Sequence, residues 1–156
     1  MKTASWTFPF RRARRPMAPA AMVLASFFAA AGADAGELRA TVRNVKPQQG
    51  KLWVALYESA GAYAADCRFA GQIVDPSGPE VAVMFTGLAP GRYGLAAFQD
   101  LNGDSTFGKT MLGLPTEPYG FSRDAKAGLF GPPAFDALAV TVDGAAVAAT
   151  TITLTD

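Results

Sequence analysis

Leu38, Ala40 and Val42 alternate with Arg39, Thr41 and Arg43, the period-two pattern of a strand with one buried face. Pro47-Gln48-Gln49-Gly50 turns the chain. Residues 51–58 follow, with Leu52, Val54 and Leu56 on one side and Trp53, Ala55 and Tyr57 on the other. Apolar residues on both faces predict a central strand. The alanines of 60–65 suit one helical turn, Ile73 and Val74 a short strand, and Asp75-Pro76-Ser77-Gly78-Pro79 a loop. Val81, Val83 and Phe85 alternate again. After the turn Leu88-Ala89-Pro90-Gly91, residues 92–99 form the next strand, and the short connection predicts that these two strands pair as a hairpin.

A long polar, Gly/Pro-rich segment runs from Asp100 to about Pro133. Strand pattern returns at 137–142 and 147–154, with Asp143-Gly144 between them as a hairpin turn signal. About seven short strands with frequent turns and no long amphipathic helix predict an all-β fold, a single antiparallel β-sandwich with one long ordered loop.

The first 35 residues read differently. Arg11, Arg12, Arg14 and Arg15 precede an uncharged apolar run over 18–31, and Ala33-Asp34-Ala35 offers a small-x-small cleavage site before Gly36. This is the three-part pattern of a secretory signal peptide. The apolar run falls short of the ~20 residues a membrane-spanning helix needs. The expectation is a signal peptide over 1–35, a single domain over 36–156, and a periplasmic or secreted protein with no membrane span after cleavage. The full chain of 156 residues carries a net charge of +1. Lys2 and the four arginines would leave with the leader against Asp34 alone, so the mature domain is acidic. No basic patch remains to attract nucleic acid.

Cys67 is the only cysteine and the chain has no histidine. An internal disulfide is therefore excluded, as are Ser-His and Cys-His nucleophile pairs and His-ligated metal sites. With Asp66 and Arg68 beside it, Cys67 is expected to be a buried or half-buried thiol.

Candidate chemistry gathers after the fifth strand. Asp100, Asn102 and Asp104 are spaced so that alternate side chains of a tight loop could converge on one hard cation, as calcium loops begin. Ser105 stands where an EF-hand loop has glycine, and Met111 or Leu112 where it has a bidentate carboxylate; Glu117 or Asp124 would have to fold back instead. The calcium reading takes Asp100, Asn102, Asp104 and Glu117 as ligands. The competing reading is that Asp and Asn cap turns by bonding nearby backbone N–H groups. A third makes Glu117, with Asp100 or Asp104, the carboxylate pair of a small hydrolase. Downstream, Tyr119, Phe121 and Ser122 are the candidate binding surface, the aromatics either recognising a partner or plugging an open end of the sandwich.

At these residues the chain resembles a bacterial family of secreted proteins known as domain-of-unknown-function family 2141. The resemblance rests on Asp100, Asn102 and Asp104; on Gly113, Pro115, Glu117, Tyr119, Gly120, Phe121 and Ser122; on Phe130 or Phe135; and on the run from Phe85 to Tyr93. That last run is similar to one shared by transthyretin-like and carboxypeptidase-regulatory-like sandwiches, and so implies the fold. Leu101 and Thr106-Phe107-Gly108-Lys109 depart from the family pattern, where polar residues and a further Asp are commoner. The resemblance implies no established activity. The function expected is a binding or accessory module working through 100–122, with a calcium ion, an envelope protein or a glycan as partner. A small hydrolase and a purely structural envelope protein are the alternatives.

Overall fold

The structure is a computed structural model, and it describes residues 35–111, 113–128 and 131–156. The expected signal peptide lies outside the described residues except for Ala35, as does Phe130 of the family signature.

Among the described residues, eight strands form two facing sheets. β1 (Gly36–Arg43) is flanked by β4 (Glu80–Leu88) and β8 (Val147–Thr153) in the smaller sheet, in the order β4-β1-β8. The larger sheet runs β3 (Ala70–Val74), β2 (Lys51–Tyr57), β5 (Gly91–Asp100), β6 (Tyr119–Phe121), and β7 (Val140–Val142) pairs with the start of β5. β2 is central, as its two apolar faces require. The core between the sheets takes Leu38, Ala40 and Val42 from β1, Leu52, Val54 and Leu56 from β2, and Leu95 and Ala97 from β5. Burying each of these Leu and Val side chains contributes about 1.5–3 kcal/mol. Gln99 is fully buried at its edge, where its side chain accepts from Lys46 N and donates to Lys46 O and Gln49 O. It pins the turn that joins β1 to β2.

The expected hairpins do not form. β4 pairs with β1 and β5 with β2, so the turn at 89–90 carries the chain from one sheet to the other. Val81, Val83 and Phe85 of β4 and Tyr93 and Leu95 of β5 still meet, but across the core. Likewise β7 joins β5 while β8 joins β1, in parallel. A turn signal reports that the chain reverses; it does not say which sheet receives the next strand. The expected strand 137–142 divides into the helical turn α2 (Phe135–Leu138) and the shorter β7.

A second apolar layer lies on the outer face of the larger sheet. There α1 (Ala60–Ala64), capped by the Ser59 hydroxyl, and α2 pack Tyr63, Phe135 and Leu138 over Tyr57 and Ala55. α2 sits close because β5 has Gly94 beneath it: a Cβ there would fall 2.1 Å from Leu138 Cδ1 and 2.9 Å from Phe135 Cε2.

Candidate functional site

The loop after β5 is held by its own backbone. Asp100 is buried, and its two carboxylate oxygens accept from Gly103 N (2.7 Å) and Ser105 N (2.9 Å). Asn102 Oδ1 accepts from Asp104 N, and Asn102 Nδ2 donates to Asp104 Oδ2. Asp104 Oδ1 accepts from the hydroxyl and the amide of Thr106. The Thr106 hydroxyl bond, then its amide bond and the Asn102 bond, lower the Asp104 pKa. Glu117 is buried and bridges both ends of the loop, accepting from Leu101 N and Gly108 N at 3.0 Å each.

These bonds match the turn-capping reading. The ligand atoms a calcium ion needs are directed at amide groups, and among the described residues no three His, Cys, Asp or Glu side chains gather closely enough to hold a metal. In this arrangement the carboxylate oxygens of Asp100 and Glu117 are taken up by the loop's own amides. We expect thermal melts in millimolar calcium and in chelator to superimpose; a bound ion at a hundred times its Kd would add about 2.7 kcal/mol and separate them by several degrees. The carboxylate pair of the hydrolase reading is engaged in the same backbone bonds.

The run from Glu117 onward has structural duties at each position. Tyr119 exchanges two backbone bonds with Thr155. Gly120 faces β8, and a Cβ on it would stand 2.7 Å from Thr153 O and 2.9 Å from Ile152 Cγ2. Phe121 enters the outer apolar layer. Ser122, fully buried, accepts from Leu95 N and donates to Leu138 O, tying β5 to α2. Of the candidate binding surface, Tyr119 and Phe121 reach a cavity and Ser122 does not.

That cavity follows from strand register. On the outer face of the larger sheet, Ile73, Trp53, Phe98 and Tyr119 stand side by side across four strands. The next row is Gly71, Ala55, Ala96 and Phe121. The row beyond, Tyr57 and Gly94, lies under the helical layer. Three small residues thus form a floor between two tall walls, in a trough of about 810 Å³. Phe121 closes one end, and exposed Gly71 and Ile73 border the other.

One wall is a run of rings. Trp53 stacks on Phe98 (5.8 Å between centroids), Phe98 meets Phe107 (5.4 Å), and Phe107 meets Tyr119 (5.6 Å). The loop before Glu117 adds Lys109, Leu114 and Pro115, with Lys109 Nζ 5.7 Å from the Phe107 ring centre. Partial burial lowers the Lys109 pKa. On the other wall, Tyr57 Oη donates to Asp66 Oδ1 (2.7 Å) and Arg68 Nη2 reaches Asp66 Oδ2 (3.4 Å). Burial first, then the Asp66 bond and charge, pushes the Tyr57 pKa far up. Cys67 is exposed at this wall rather than buried, because it follows α1 on a surface turn and its neighbours Asp66 and Arg68 take the inward positions.

The two-sheet fold with its capped loop and Glu-x-Tyr-Gly-Phe-Ser run defines a class of small β-sandwich domain. The chain belongs to the family described as uncharacterized proteins conserved in bacteria, DUF2141, whose profile matches residues 40–150. No curated protein and no solved structure matches the chain. Among the described residues no helix is long and apolar enough to cross a membrane.

Proposed function

We propose that this chain is an exported binding module that takes a ligand with an apolar body into the trough of the larger sheet. The observation that carries the reading is the row Gly71, Ala55, Ala96 between aromatic and helical walls, which leaves about 810 Å³ open over an apolar floor. Cavities of roughly 300–1,000 Å³ lined mainly by hydrophobic side chains, with a few polar groups, are the usual form of small-molecule sites. Phe107, Lys109, Leu114 and Pro115 contribute to one wall, so the working surface includes Tyr119 and Phe121 but not the loop carboxylates. Export is supported by the sequence pattern of residues 1–35.

The test is titration with an uncharged solvatochromic dye, Nile red. Wild-type protein should bind it with a saturable rise in emission. Ala96→Leu, which fills the floor, should weaken binding at least ~10-fold while circular dichroism stays that of the folded protein. Gly71→Val is the second variant, since a Cβ at Gly71 meets only Val54 O at an ordinary 3.6 Å. Equal dye affinity in wild type and both folded variants would sink the proposal.

A further inference from the structure

Resting on that reading, we propose that the trough measures the length of a single extended alkyl chain, which enters over Gly71 at the edge strand β3, lies along Ala55 and Ala96, and stops against Phe121. The register puts these four residues in one row: Gly71 beside Ala55, Ala55 beside Ala96, and Ala96 beside Phe121. Three of them are small, and the fourth is a ring that lines the same cavity. The floor therefore has one blind end and one open end. Gly71 and Ile73 are exposed at the open end, on the strand at the edge of the sheet.

The blind end is firmly held. The Phe121 ring meets Tyr119 edge-on, with 5.9 Å between centroids, and belongs to the same apolar layer as Tyr57, Tyr63 and Phe135. The next residue, Ser122, accepts from Leu95 N at 2.9 Å and donates to Leu138 O at 2.5 Å. β6 cannot slide away from β5 without breaking both bonds. The sides are as definite as the end. Trp53 and Phe98 stand one row away toward the loop, and Tyr57 stands one row away toward the helical layer. Successive rows on one face of a strand are about 7 Å apart. Between tall side chains at that spacing the floor takes one alkyl chain, not two side by side.

The length follows from the sheet. From β3 to β6 the floor crosses β2 and β5, and neighbouring strands are about 4.8 Å apart, so it spans roughly 14 Å. A fully extended chain advances about 1.2 Å per bond, as the polypeptide backbone itself does. About ten to twelve carbons therefore reach from the open edge to Phe121. Each methylene laid on the floor leaves water, which is worth about fourfold in affinity. Methylenes beyond the stop's reach stay in water at the β3 edge and add nothing. Affinity should thus climb with chain length and then level off. A trough open at both ends, or a cavity with no fixed axis, gives no such break.

The experiment is calorimetric titration of the folded protein with alkyl maltosides from hexyl to tetradecyl, each below its micelle concentration, with maltose as control. The disaccharide head is too bulky for a floor one row wide and stays at the open edge. Wild type should gain about fourfold per methylene up to decyl or dodecyl, and almost nothing beyond. Ala96→Leu brings the stop one strand closer, so the break should move down by about four carbons; Phe121→Ala removes the stop and should move it up by about as many. Partial unfolding of a variant weakens binding of every chain alike and leaves the break where it was, so the position of the break reports the stop itself. Affinity that climbs evenly to tetradecyl in the wild type, or a break that neither variant moves, would overturn the measuring role and leave the apolar trough standing. Binding of maltose alone would overturn it in favour of sugar recognition. If neither the maltosides nor Nile red bind, the reading beneath it falls as well.

Discussion

Glu117→Ala should cost about 3 kcal/mol, since hydrogen bonds to a charged group are worth ~1.5–3 kcal/mol each and two are lost together. The carboxylate is buried and accepts from Leu101 N and Gly108 N, on opposite ends of the loop. Alanine would leave both amides without this acceptor and remove a side chain that bonds both strands of the loop's neck. For a domain of this size the melting temperature should fall on the order of 10 °C. Glu117→Gln keeps one acceptor oxygen but turns an amino group toward the second N–H, so its melt should lie between wild type and alanine. Hydrogen exchange adds a local readout: the Leu101 and Gly108 amides should lose protection in the alanine variant before the central strand β2 does. If both amides stay protected, Glu117 does not hold the loop. The wall that carries Phe107 and Lys109 is attached through this same neck, so dye affinity in the trough should fall along with loop protection.

The strands were legible because their signal is local. Alternation at Leu38, Ala40 and Val42 places all three in the core, and the apolar faces of 51–58 place β2 in the middle of its sheet. Pairing is not a local property. The turn at 89–90 looks the same whether the chain folds back in its own sheet or steps to the facing one, and the choice depends on whether Val83 and Phe85 pack beside Leu95 or opposite it. β6 was hidden for another reason: three residues with two aromatics and a glycine carry too little alternation to separate a strand from a loop. The trough was beyond the sequence because it exists only in register. Gly71, Ala55 and Ala96 are unremarkable small residues until β2 brings them into one row. The loop carboxylates were visible as a cluster, but their spacing is equally good for an ion and for turn capping. The distinction lay in where the N–H groups of Gly103, Ser105, Leu101 and Gly108 point.

Gly120→Ala should be about as damaging as Glu117→Ala although it adds a single methyl group. Gly120 faces β8 across the gap between the sheets, and a Cβ there would meet Thr153 O at 2.7 Å and Ile152 Cγ2 at 2.9 Å. A backbone oxygen held in a strand cannot rotate aside, and Ile152 is fully buried, so relief requires β6 to move away from β8. That movement strains the paired bonds between Tyr119 and Thr155 and displaces Ser122 from Leu95 N and Leu138 O. Overpacking of this kind costs about 1–3 kcal/mol, occasionally more, and the attached hydrogen bonds put Gly120 at the upper end. The comparison variant is Gly61→Ala: Gly61 lies in α1 with nothing within 4 Å of its Cβ position, so alanine there should stabilise by about 0.5–1 kcal/mol. Paired melts decide the matter. A Gly120→Ala midpoint no lower than that of wild type would mean that β6 is not pressed against β8. In that case the specificity of the Tyr-Gly-Phe-Ser run would owe nothing to close packing, because Gly120 is the one position in it where any side chain at all is excluded by neighbouring backbone.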